Sequence, residues 1–178
     1  MTTPTTIRTA QITALFLSST VSGISLALST FLVPRLLESP VPTMLLQWKR
    51  TYHAGKTQIA PAAAAASAIW FWLAAKSPAL TRGVGRQYLA AGALAFAIIP
   101  YTGVMMMETN RRIEERAEGV SLERGRLIQA EGKGDEEEQM AWVRGEGSKY
   151  LVDWWGMLNL GRSAMLMAST VVGLVAVV

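Results

Sequence analysis

Four long stretches of this chain carry no charge. Twenty-six residues separate Arg8 from Arg35, 19 separate Lys56 from Lys76, 21 separate Arg86 from Glu108, and the final 16 follow Arg162. A helix rises about 1.5 Å per residue and a bilayer core is about 30 Å thick, so roughly 20 apolar residues cross it. Hydrocarbon cannot satisfy backbone N–H and C=O groups, so runs of this length cross a membrane as helices. A soluble core in a chain of 178 residues does not need four of them. The fold class read from the sequence is therefore all-α, an integral membrane antiparallel four-helix bundle. It has a short extra helix between spans one and two and a long polar loop between spans three and four.

The spans fall at about 10–33, 58–75, 87–107 and 158–178, within one transmembrane domain covering 1–178. Span one is expected to end at Pro34. The extra helix covers about 43–55, and Pro61 falls in the first turn of span two. Span three is expected to bend at Pro100 and to continue as a polar helix to about Ala117. The polar loop covers about 108–153, with "GKGDEEEQ" (132–139) as a solvated turn within it. Span one is too long for the apolar region of a signal peptide. Its Ser18, Ser22, Ser25 and Ser29 recur at spacings of four, three and four, a small face suited to helix packing. The alanines at 62–66 suit close packing in the same way.

Composition removes several classes of function. The net charge of +4 comes from basic residues scattered around membrane segments and interleaved with acids, which argues against a nucleic-acid partner. No cysteine is present, so disulfides, thiolate metal sites and thiol redox chemistry are excluded. A single histidine, His53, makes bis-histidine haem and di-iron centres implausible within one subunit. The run Met105–Met107 reads as apolar filler rather than a copper site. "GKT" at 55–57 lacks the upstream glycine of a phosphate loop, where Arg50 stands instead.

Lys and Arg residues give the orientation. The first and third connectors hold 12 of them, against four (Arg8, Lys76, Arg82 and Arg86) on the opposite side. The positive-inside rule puts the two large connectors in the cytoplasm. In an antiparallel bundle, the ends of spans one and three lie beside the starts of spans two and four. At that one mouth the sequence places Trp48, Tyr52 and His53, then Tyr101, Thr102, Glu108 and Asn110, and then Trp155, Asn159 and Arg162. The last three share a helical face at spacings of four and three. Taken singly, these are interfacial aromatics, a surface histidine, a snorkelling arginine and a helix–helix amide. Together they are one base, fixed cations and hydrogen-bond donors beside an apolar pocket.

Such a set permits a particular chemistry. A neutral histidine can remove an acidic proton from a flat aromatic substrate. An arginine and an amide can hold the resulting enolate oxygen. An electron-rich enolate can then react with O₂ as co-substrate, with no metal and no other cofactor.

The stretches "QWKRTYHAGK" (47–56), "IPYTGVMMMETNRRI" (99–113) and "WWGMLNLGRSAM" (154–165) carry a resemblance. In order and spacing they resemble the four-helix membrane proteins of the DUF1772 family, whose fungal members are anthrone oxygenases of polyketide pathways. The likeness extends over roughly 33–168. It implies that Trp48, His53, Pro100, Tyr101, Thr102, Asn110, Asn159 and Arg162 occupy the family's characteristic positions. It also implies oxidation of an anthrone to an anthraquinone with O₂ and without a conventional redox cofactor.

The expectation is therefore an anthrone oxygenase in an endoplasmic reticulum or other endomembrane, in contact with lipid and compatible with a homo-oligomer. His53 would be the general base, with Tyr52 or Glu108 next in line. Arg162 and Asn159, with Asn110, would hold the oxygen. Trp48, Tyr52, Tyr101, Thr102, Asn110 and Trp155 would bind the substrate. The alternative is a non-enzymatic carrier or scaffold for an aromatic-metabolite pathway.

Overall fold

The computed structural model describes residues 4–77, 83–122 and 147–178. Among these residues four helices are long and apolar enough to cross a membrane. Helix α1 runs from Pro4 to Leu37, with a π turn at Leu28–Leu32. Helix α2 is Val41–Lys76. Helix α3 comprises Val84–Tyr101, a π turn at Thr102–Met106, and a polar extension Met107–Leu122. Helix α4 is Ser148–Val177. Large apolar side chains such as Phe16, Phe31, Phe96 and Val104 point outward from the bundle. A helix that is apolar on its outer as well as its inner face suits lipid rather than water.

Three boundaries differ from the sequence expectation. The short helix expected over about 43–55 forms, but it does not stop: it runs unbroken through Pro61 into span two. Pro42 sits in its first turn, where a missing N–H costs nothing. Span one does not end at Pro34, which lies in the first turn of the α-helical segment after the π turn. Proline cannot bond to the carbonyl four residues back, and the wider π register just before it absorbs the mismatch. Pro100 lies just before the second π turn, with Tyr101 between them. Finally, α4 begins ten residues before the expected 158, and α3 continues to Leu122, so both ends of the expected polar loop are helical. The "GKGDEEEQ" stretch lies outside the described residues.

Small polar residues hold the helices together. Ser22 and Ser163 donate reciprocally to each other's carbonyl oxygens at 3.2 and 3.0 Å, joining α1 to α4. Ser67 donates to the Gly92 carbonyl at 3.1 Å, between α2 and α3, and Ser169 to the Ala91 carbonyl at 2.7 Å, between α4 and α3. Ser18, Ser22 and Ser25 of the serine stripe are buried, as are Ala63 and Ala66 of the alanine run. Without a hydrophobic drive between helices in lipid, close approach and such bonds supply the cohesion. At the end bearing the chain termini, Trp70 stacks on Tyr88 at 5.7 Å, and the Tyr88 hydroxyl donates to the Ala176 carbonyl at 3.2 Å. The opposite end, where α1 turns into α2, is built differently.

Candidate active site

All four helices contribute to a cavity of about 440 Å³ at the connector end. Helix α1 supplies Leu28, the first residue of its π turn. Helix α2 presents Thr51, Tyr52, Gly55, Lys56, Ile59 and Ala60, a stripe at spacings of three and four. Helix α3 presents Ile98, Ile99, Thr102, Gly103, Met107 and Asn110, so its π turn faces the space too. A π turn widens the helix locally and redirects the residues around it, which is why such turns recur at functional sites. Helix α4 adds Trp155, Asn159 and Arg162.

One wall is aromatic. Tyr52 stacks flat on Trp48, with ring centroids 4.9 Å apart and planes 7° from parallel. Trp48 in turn meets Trp155 edge-on at 5.8 Å and 82°. Trp48 is fully buried and does not line the cavity; it stands behind the two rings that do and fixes their planes.

Asn159 is buried and its orientation is forced. Its amide nitrogen donates to the Ser25 carbonyl at 2.7 Å and to the Ser29 hydroxyl at 3.0 Å. A carbonyl can only accept, so the NH₂ group must face α1 and Oδ1 must face away. Oδ1 has no hydrogen-bond partner among the described residues, nor do Oδ1 of Asn110, Nε1 of Trp155 and Nε of Arg162. Arg162 makes no ion pair with any described residue, although Tyr52 and Tyr101 lie within its electrostatic reach. Lys56 is the other charged residue of the lining, and no described carboxylate joins it. The cavity is thus aromatic-walled and positively charged, and the residues around it include buried polar atoms without a hydrogen-bond partner among the described residues.

Of the nine site residues expected from sequence, Tyr52, Thr102, Asn110, Trp155, Asn159 and Arg162 line this one cavity. Trp48, Tyr101 and His53 do not. The Tyr101 hydroxyl donates to the Leu158 carbonyl at 2.9 Å and packs against Gly161, where any Cβ would collide with it. The His53 side chain is 51% exposed, and its Nε2 lies 3.1 Å from Glu114 Oε1. Its ring contacts Tyr52 edge-on at 5.6 Å, so the imidazole lies beside Tyr52 but outside the cavity lining. One turn earlier Lys49 pairs with Glu118 at 3.3 Å, making two rungs between α2 and the extension of α3. Glu108, in that polar extension, is exposed and bonded to Arg111 and Arg112, which hold its carboxyl down at about 2. So weak a base is poorly suited to take a proton.

Sequence reasoning missed Lys56 and Gly55 as lining residues and Glu114 as the partner of His53. The signal existed: positions 48, 52, 55, 56 and 59 form one stripe, and 110 and 114 form the stripe opposite it.

The family model described as anthrone oxygenase matches residues 48–172. The chain belongs to the anthrone oxygenase family. That span opens at Trp48, closes beyond Arg162, and contains every cavity residue except Leu28. Among curated relatives, anthrone oxygenase AgnL2 of Paecilomyces divaricatus is 30% identical over 92% of this chain and 92% of its own length. An anthrone oxygenase of Emericella nidulans is 29% identical over 90% of this chain and 93% of its own. No solved structure matches the chain.

Proposed function

We propose that this protein oxidises an anthrone to an anthraquinone with O₂ in aromatic polyketide biosynthesis, and that it does so without a metal or organic cofactor. The observation that carries the reading is the cavity itself. It is walled by Tyr52 and Trp155 and lined by two cations with no described carboxylate. That lining suits a flat aromatic that becomes an anion. Removal of a proton from the methylene of the central ring gives an anthrolate, whose charge resides on the ring oxygen opposite. Arg162, unpaired and partly buried, is the group to hold that oxygen. Asn159 is not, because both its amide hydrogens are committed to α1.

The anthrolate carbon then adds O₂ to form a peroxide anion, which takes up a proton. Loss of water breaks the O–O bond and removes the remaining hydrogen from that carbon. One substrate and one O₂ give one quinone and one water, so no external reductant is needed. Tyr52 is the cavity-facing member of a Tyr52–His53–Glu114 group. Burial holds its phenol protonated, so as it takes the substrate's proton it hands its own on to His53 or, through that exposed side chain, to water. His53 acts behind Tyr52 rather than on the substrate. The protein would work in the endoplasmic reticulum or another endomembrane with its two large connectors in the cytoplasm.

The test is O₂ uptake and quinone formation by the detergent-purified full chain given an anthrone, with uncatalysed autoxidation subtracted and bound metals assayed in the same sample. Arg162→Gln should lower kcat/KM about 100-fold while the protein elutes as native. Native turnover no faster than the background rate would leave a binding protein in place of an enzyme.

A further inference from the structure

The cavity is closed on the side of α1 and α4 and open between the other two helices. None of the lining residues that α1 and α4 contribute is exposed, whereas Lys56 and Ala60 of α2 and Ile99, Gly103 and Met107 of α3 are. Each set recurs at spacings of four, so each forms one row along its helix. The two rows flank a slot that follows the α2–α3 seam, about 12 Å long from Ile99 to Met107. Ala60, Ile99 and Gly103 belong to charge-free stretches, and Lys56 and Glu108 mark where those stretches end. Beside the slot Phe96, Val104 and Met105 are exposed apolar side chains. It therefore faces lipid along most of its length and reaches headgroup level at its outer end. A smaller groove in the α1–α2 seam, about 200 Å³, also adjoins the cavity. The residues shared there, Leu28, Thr51, Gly55 and Ile59, are all half-buried or buried, so that side is closed.

Gly103 stands on the open rim without a packing reason. At Gly92, Gly156, Gly161 and Gly173 an added Cβ would crowd Phe71, Val33, Tyr101 and Trp70 respectively, so those glycines make room for a neighbour. At Gly103 a Cβ would meet nothing within 4 Å, and no positive φ calls for glycine there. Glycine inside a helix is otherwise unfavourable. Gly23 and Gly119 share this freedom, but neither lines the cavity. What the missing side chain of Gly103 leaves is free space between the cavity and the lipid. From this arrangement we infer that a flat aromatic ligand passes sideways between the bilayer and the cavity through the α2–α3 slot, and that Gly103 keeps the slot open. The inference rests on the reading of the cavity as the anthrone site and adds the route by which substrate arrives and quinone leaves. Apolar surface draws a ring system of this kind from water into lipid. A slot along two helices admits it edge-on, with the Tyr52 and Trp155 rings as the wall it meets inside.

The experiment measures exchange rather than turnover. An obstacle on a route slows entry and exit by the same factor and leaves affinity unchanged, whereas a lost contact acts through the dissociation rate. The full-length protein is placed in lipid nanodiscs, and binding of an anthraquinone is followed by stopped-flow quenching of tryptophan fluorescence, Trp155 being part of the cavity wall. Gly103→Phe should lower the association and dissociation rates together, at least tenfold each, with Kd within threefold of native. Ala60→Phe, on the facing row, should do the same, and it decides if Gly103→Phe does not keep the native elution profile. Thr20→Phe, in the α1–α2 groove, should leave both rates native. The inference is overturned if the native protein does not bind the quinone, or if the slot variants keep the native association rate. It is equally overturned if their association slows without dissociation, because the new side chain then fills the site rather than its entrance, or if Thr20→Phe slows the exchange. Slowed exchange in a protein that does not turn over an anthrone defeats only the enzyme reading. Turnover with native exchange rates in both slot variants defeats only this one.

Discussion

Tyr52 and His53 are neighbours in sequence, but a helix turns about 100° between them, so one faces the cavity and the other faces Glu114. This division sets the roles they can play. A base must come within hydrogen-bond reach of the proton it takes, and of the pair only Tyr52 is placed to do so. Tyr52→Phe should therefore lower kcat by about 100-fold, and His53→Ala by about tenfold or less. Glu114→Gln should resemble His53→Ala, because it acts through the same ring. Steady-state rates at several pH values read this directly: the pH dependence should persist in Tyr52→Phe only if another group carries the proton. An inactive His53→Ala beside an active Tyr52→Phe would reverse the assignment. At this scale the sequence was legible in kind rather than in direction. It marked Trp48, Tyr101 and His53 as belonging to this end of the bundle, and they do. Whether each side chain lines the space, backs it or faces outward depends on the angle of its helix. In α3 a π turn shifts that angle immediately after Tyr101, so counting in steps of 3.6 fails there.

Pro34 and Pro100 sit beside the two π turns, and both turns put residues on the cavity. The elements are thus opened where the site needs room. Pro100 leaves the Phe96 carbonyl without its helical donor, and replacing it by alanine restores that N–H. Pro100→Ala should let the segment tighten toward regular α register and turn Thr102 and Gly103 away from the cavity. Thermal stability should hold or rise, while kcat/KM falls about tenfold. A melting curve and a rate on one preparation check both, and a variant that loses stability with unchanged kcat/KM would mean the turn serves packing alone. The spans themselves were readable because charge is excluded from lipid, and the polar continuation of α3 because its residues favour helix. The fusion of the short helix with span two was not readable. Pro61 and Gly55 look like punctuation in a one-dimensional reading. In the folded chain, α2 is held on both sides of Pro61. Trp48 is buried against Trp155 on one side, and Ala63, Ala66 and Trp70 are buried on the other, so packing overrides the local preference.

At the scale of the whole molecule, helix length decides how the bundle meets the bilayer. The 36 residues of α2 make a rod of about 54 Å, well beyond a hydrocarbon core of about 30 Å. The excess lies toward Val41, where Lys49, Arg50 and Lys56 stand, because the stretch from Thr57 to Ala75 carries no charge. The polar extension of α3 runs alongside it, tied by Lys49–Glu118 and His53–Glu114. Such exposed pairs contribute about 0–1 kcal/mol each, so they align the two helices more than they stabilise them. The cavity therefore opens where two helices leave the apolar layer together, at the level where a flat, partly polar aromatic would itself collect. The proposed cytoplasmic placement of this end rests on its Lys and Arg excess. Because the chain has no cysteine, single substitutions give an unobstructed test of sidedness. In sealed microsomes with the cytoplasmic face outward, Glu38→Cys and Glu115→Cys should react with a membrane-impermeant maleimide, whereas Thr5→Cys and Val178→Cys should react only after detergent is added. The reverse pattern would place the cavity mouth on the lumenal side. The substrate would then have to cross the membrane before oxidation, and a cytoplasmic source for it would no longer be tenable.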